Sequence, residues 1–78
     1  MNLSEAVRLE RDKRKRQAFI RREHDILSVC ESLMAEKGVR QVSVDMIAAR
    51  TGIGKVTFYK HFDSKHDTLI AIAARYFT

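Results

Sequence analysis

Residues 47–65 read IAARTGIGKVTFYKHFDSK, two short helical patterns on either side of a glycine turn. This is the layout of a helix-turn-helix. Glycine suits the point where the chain reverses, since it alone takes positive φ at no steric cost. Ile53, between Gly52 and Gly54, can drop into a core and fix the angle of the two helices. The second pattern, KVTFYKHF, has rings on one side and Lys, Thr, Tyr and His on the other, which suits a rod that leans on a core while touching a polyanion.

Working outward, Phe58 and Phe62 lie four residues apart, so at about 100° per residue they share the inward face of this helix. Val56, Thr57 and Lys60 then point away from the core, and Tyr59 and His61 project to its flanks. In a DNA major groove such a helix meets base edges with its outward side chains and phosphates with its shoulders. Tyr59 and His61 are therefore expected on phosphates, Lys55 on a guanine edge or a phosphate, and Val56 on a thymine methyl. Plainer readings stand beside these. Tyr59 can be a half-buried ring with its hydroxyl in water, His61 can satisfy a backbone group near the core, and Lys60 can be merely solvated. Lys65 sits in the first turn of the next helix, where the dipole disfavours a cation; a bound phosphate there removes the anomaly.

The remaining elements follow from periodicity and caps. Ile26, Leu27, Cys30, Leu33 and Met34 form one apolar stripe of a first helix, which is expected to end at a left-handed Gly38 after Lys37. Ser43 is placed to cap a short second helix carrying Val44, Ile47 and Ala48. The third runs from about Lys55 to Phe62, and Ser64, with Asp67 three residues on, opens a fourth. That fourth helix carries Leu69, Ile70, Ile72, Ala73, Tyr76 and Phe77 on more than one side and has no stop signal, so it wants a partner surface and reads as the start of a connector in a fragment. The expected fold is all-α: a three-helix bundle with a helix-turn-helix at about 44–62, within a domain at 18–63, plus the start of a fourth helix at 64–78. Residues 1–17 form a basic arm that is flexible or extends the first helix.

Charge sharpens this plan. The chain of 78 residues carries a net +5. Residues 1–22 hold eight Lys or Arg against three acids, whereas the rest holds seven of each. Within that rest, residues 23–36 carry four acids and no Lys or Arg, and residues 37–65 carry six basic groups against two acids. The helix-turn-helix is thus the basic pole of a polarised domain, and such a field steers a polyanion to one face. Nucleic acid is the natural partner. The single Cys30 can form no intramolecular disulfide and suits a reducing, cytoplasmic compartment; its place on the apolar stripe makes it a packing residue. No run reaches the length of a membrane span, and no signal peptide is evident. His24, His61 and His66 with Cys30 have no metal-site spacing. There is no nucleophile constellation and no phosphate loop, and a chain this size buries only roughly 60% of its surface. No enzyme, metal or cofactor is expected.

With its residues placed, the chain resembles the N-terminal DNA-binding domain of TetR-family bacterial transcriptional regulators. The resemblance runs from about Ile26 to Leu69 through Glu36-Lys37-Gly38 and SVDMIAARTGIGKVTFYKHFDSKHDTL, with Thr57 to Phe62 and Ser64-Lys65 its most specific piece. It implies operator contacts by Ser43, Lys55, Val56, Thr57, Tyr59, His61 and Lys65, with Tyr59, His61 and Lys65 chiefly on phosphates. It also implies a homodimer on a palindromic operator in double-stranded DNA, released when a small-molecule effector bound by a further domain tilts the fourth helices. Three residues depart from the family pattern: Gly54 replaces a common serine, Val56 a frequent glycine, and Val42 a common threonine that would offer one more phosphate contact. The basic arm is longer than the motif requires. Arg14, Lys15, Arg16, Arg21 and Arg22 can reach a neighbouring minor groove or phosphates, or form a solvated tail that raises only nonspecific affinity. On that last reading the chain is a stand-alone architectural DNA-binding module.

Overall fold

Asn2 starts the first helix: its side-chain oxygen accepts the Glu5 backbone N–H at 2.8 Å, which satisfies one of the free amides at a helix N-terminus. No glycine or proline before Gly38 interrupts the helix. In the computed structural model, which describes residues 1–77, α1 runs unbroken over Leu3–Lys37, 35 residues. The arm and the first core helix are one element, and it gives the molecule a long axis of 53 Å against 29 and 18 Å across. Residues 1–22 are exposed throughout.

Gly38 ends α1 at φ 83, ψ 152. That is a glycine-only region, but it is extended and not the left-handed helical basin expected of a helix stop. The extended ψ leads into a 3-10 turn at Val39–Gln41, which has no signature in the sequence. Ser43 then caps α2, Val44–Thr51, by accepting the Met46 N–H at 3.2 Å. Gly52 closes α2 in the left-handed conformation, φ 82 and ψ 29. Its N–H bonds to Ala48 O at 2.9 Å, and Ile53 N–H bonds to the same carbonyl at 3.0 Å, so the orphan carbonyls at the helix end are used in making the turn. After it, α3 spans Lys55–His61 and α4 spans Lys65–Tyr76, the latter capped by Ser64 Oγ on Asp67 N–H at 3.3 Å.

Residues from α1 to the end of α3 contribute to one core. Ile26, Leu27, Cys30 and Leu33 of α1 join Val42, Ile47 of α2, and Phe58 and Phe62 of α3 and its end. Ile53, in the turn, packs against this cluster. Val42 is only 2% exposed; it serves this core and offers no side chain to a phosphate. The fourth helix closes the domain through Thr68, which is fully buried. The Thr68 hydroxyl donates to the Lys65 carbonyl and lies 3.3 Å from Cys30 Sγ. Further along, Arg75 donates to the His24 carbonyl at 3.0 Å and pairs with Glu31 at 3.6 Å, and the Tyr76 hydroxyl donates to Glu31. Elsewhere on α4 Ile70 and Tyr76 are largely uncovered, followed by Phe77.

Two glycines of the turn should respond to substitution with opposite signs. No atom lies within 4 Å of a Cβ added at either Gly52 or Gly54, so backbone conformation decides. Gly52→Ala forces an alanine to φ 82 at a cost of about 1–2 kcal/mol, lowering the thermal midpoint by roughly 4–16 °C for a domain this size. Gly54, at φ −82, accepts any residue; Gly54→Ser adds an N-cap and removes unfolded-state freedom, raising stability by about 0.5–1 kcal/mol. Thermal unfolding followed by circular dichroism reads both.

Burial pushes the Cys30 thiol above its ordinary value of 9.0, partly offset by the Thr68 hydrogen bond. The hydrogen bond to Glu31 raises the Tyr76 hydroxyl as well. A group held neutral by folding stabilises fully below its unfolded pKa and ceases to do so as pH rises through its folded one. The midpoint should therefore fall above about pH 9. Cys30→Ala, though less stable at neutral pH because of the cavity, should lose less over the same alkaline interval.

Candidate nucleic-acid interface

The third helix presents its two faces as its periodicity requires. Phe58 has no accessible surface and Phe62 is 8% exposed, while Val56 is 74% and Tyr59 50% exposed and Lys60 is uncovered beside them. Val56 is thus bared to water beside a phenol and an ammonium and takes no part in the core. Thr57 is half-buried at the edge of this face. The Tyr59 ring stands edge-on to Phe58, centroids 5.4 Å apart at 87°, a packing that gives the half-exposed ring a defined direction.

Lys55 begins α3 and reaches back to α2, with Nζ 3.1 Å from Asp45 Oδ1; both side chains are more than half exposed. An exposed pair of this kind contributes only about 0–1 kcal/mol, so the ammonium remains available to an anion. Ser43, exposed at the start of α2, is committed to its cap. Lys65 donates to the Val39 carbonyl at 2.9 Å. The cation at this helix start is thus explained by an acceptor within the chain, and it ties α4 to the 3-10 turn.

His61 departs from expectation. Its side chain is 1% exposed, so it is not on the shoulder of α3 but beneath α1. The ring stacks on Phe19, centroids 3.9 Å apart at 19°, and Nδ1 lies 3.1 Å from Glu23 Oε2, to which it donates. Nε2 is buried without a hydrogen-bond partner among the described residues. The physical reason is the packing of α1 on the end of α3, which carries Phe19 and Glu23, one helical turn apart, over the ring. The sequence reading missed these two partners, although their i, i+4 spacing on a single helix face was the available signal. The arm residues Arg14, Lys15, Arg16, Arg21 and Arg22 are all exposed, but at about 100° per residue they spread around α1, and no single face holds all five.

Residues 26–72 match the protein family described as "Bacterial regulatory proteins, tetR family". The chain belongs to the TetR family. Regulators of this family bind DNA, and the matched residues are its DNA-binding domain. Among curated proteins, the TetR-family chain is similar to the HTH-type transcriptional regulator EthR of Mycobacterium tuberculosis, strains CDC 1551 / Oshkosh and ATCC 25618 / H37Rv, and of Mycobacterium bovis, strain ATCC BAA-935 / AF2122/97. Each is 37% identical over 54 residues, which cover 69% of this chain and 25% of the relative. The chain thus spans about a quarter of the length of these relatives. No solved structure matches it. No helix among the described residues is long and apolar enough to cross a membrane, and no group of three His, Cys, Asp or Glu among them is placed to hold a metal ion.

The covered histidine yields a direct test. His61→Phe keeps the stack on Phe19 and removes a buried nitrogen that lacks a partner, so stability should hold or rise by about 1 kcal/mol. DNA affinity should stay within about twofold. A tenfold loss of affinity at unchanged thermal midpoint would show that the ring leaves its cover to meet the duplex.

Proposed function

We propose that this chain is the sequence-reading part of a ligand-released repressor of the TetR family. The observation that carries the reading is the bared face of α3, where Val56, Tyr59 and Lys60 stand outward over a fully buried Phe58. In this reading Val56 packs on a thymine methyl, Lys60 and Lys55 meet base edges or phosphates, Thr57 touches the groove edge, and the Tyr59 hydroxyl donates to a phosphate. In the same reading Ser43 and Lys65 give further phosphate contacts through the hydroxyl proton and the ammonium protons that their bonds to the Met46 N–H and the Val39 carbonyl leave over. His61 is left out, because its ring is covered.

The whole protein acts in the cytoplasm as a homodimer on a palindromic operator, one α3 per half-site. Its α4 is the connector to a domain that binds a small-molecule effector. The exposed Ile70, Tyr76 and Phe77 support this, being an apolar surface that wants covering. A second reading, an architectural module that coats DNA through its arm, draws on the location of all the net charge in residues 1–22.

A duplex enriched from a randomised pool by the chain itself provides the probe. Tyr59→Phe should weaken binding about fivefold, the worth of a hydrogen bond near 1 kcal/mol, and Lys60→Ala should weaken it further while lowering the salt slope by about 1. Unchanged binding by both folded variants would sink the assignment. Removal of residues 1–16 separates the two readings: a sequence preference that survives supports the repressor head, and loss of nearly all affinity supports the coating module.

A further inference from the structure

The contacts of α1 fix three directions around its axis. Glu31 and the His24 carbonyl meet α4. Phe19 and Glu23 meet His61 at the end of α3. Ala18, Arg21, Arg22 and Asp25 line a groove with Thr51 and Ile53 at the helix-turn-helix turn. At about 100° per residue, Arg8, Arg11, Lys15 and Arg22 fall within about 60° of one another. Their strip lies between the direction of His61 and that of the turn, and it is opposite α4. The basic strip therefore looks to the side on which α3 stands. The acids of the arm, Glu5, Glu10 and Asp12, fall outside it. None of the four basic groups enters an ion pair among the described residues, where the pairs are Arg50–Glu36, Lys55–Asp45, His61–Glu23 and Arg75–Glu31.

We propose that Arg8, Arg11, Lys15 and Arg22 form a second DNA-binding surface, which takes phosphates of the duplex flanking the site read by α3. This rests on the reading that α3 enters duplex DNA. The occupant follows from charge and shape. A helix is about 10–12 Å across with its side chains, and the minor groove is about 6 Å wide, so the arm does not enter that groove as a helix; it lies along the outside of the duplex. From Arg8 to Arg22 the strip is about 21 Å long at 1.5 Å per residue, the span of roughly six base pairs. The stack of Phe19 on His61, with Glu23 bonded to the same ring, fastens the rod to the end of α3. That holds the strip in a constant relation to the reading helix.

The test compares two variants of the 78-residue chain with equal loss of charge. One carries Arg8→Ala, Arg11→Ala and Lys15→Ala; the other carries Lys13→Ala, Arg14→Ala and Arg16→Ala, which lie off the strip. Alanine preserves the helix, and circular dichroism verifies this. Binding to the enriched duplex is measured by fluorescence anisotropy across salt concentrations, with flanks of zero and about ten base pairs, one helical turn. The strip variant should lose about 2–3 from the slope of log K against log salt, at about 0.9 per phosphate, and should no longer gain affinity from the flanks. The off-strip variant should lose less than about 1 and keep the gain. Equal slopes for the two variants, or a slope unchanged in both, would overturn the proposal, as would strip-dependent binding to phosphatidylserine vesicles with no effect on DNA. If Tyr59→Phe and Lys60→Ala both leave binding unchanged while the slope difference between the variants persists, the strip stands and the operator reading of α3 falls.

Discussion

Everything in this molecule depends on the burial of one ring. Phe58 sits without accessible surface in a cluster built from α1, α2 and the end of α3, and through it a helix of only seven residues is held in place. A helix that short has no stability of its own in water. Removing such a ring costs about 3–5 kcal/mol, a large share of the stability a small domain has. The outward face of α3 is free to carry Val56, Tyr59 and Lys60 only because its inward face is settled in this way.

The turn at Gly52 and the cap at Ser43 are the backbone counterpart of that burial. Between them, α2 is short, capped at both ends and anchored by Ile47 and Ala48, so it serves as a strut that sets where α3 begins. Lys65 acts similarly at the other end, closing the 3-10 turn onto the start of α4. Ser43 and Lys65, both polar groups beside α3 in sequence, are thus engaged in positioning the helices.

The core was legible in the sequence wherever a residue's partner lay within one or two turns. Ile26, Leu27, Cys30 and Leu33 showed their stripe, Ser43 and Ser64 their caps, and Phe58 and Phe62 their shared face. Contact between distant segments could not be read in the same way. The pairing of His61 with Glu23 spans 38 residues, and the acceptor for Lys65 is a backbone carbonyl, which has no residue type to announce it. Val42 is the same lesson in reverse: its position looked like an interface position by family pattern, and tertiary packing drew it inside. Gly38 announced a helix stop correctly, but the extended ψ it takes depends on where the chain must go next.

The attachment of α4 carries a mechanical consequence. It is fastened to α1 near its start by Thr68 against Cys30, and again near its end by Arg75 and Tyr76 on His24 and Glu31. Two fixings along one helix leave it no hinge of its own, so a displacement of α4 is passed on as a rigid rotation of the whole head. Because α1 runs on as a single rod beyond the core, that rotation is magnified with distance: a turn of about 5° moves a point roughly 30 Å away by about 3 Å. The tip of the arm is the far end of a lever whose short end is α4.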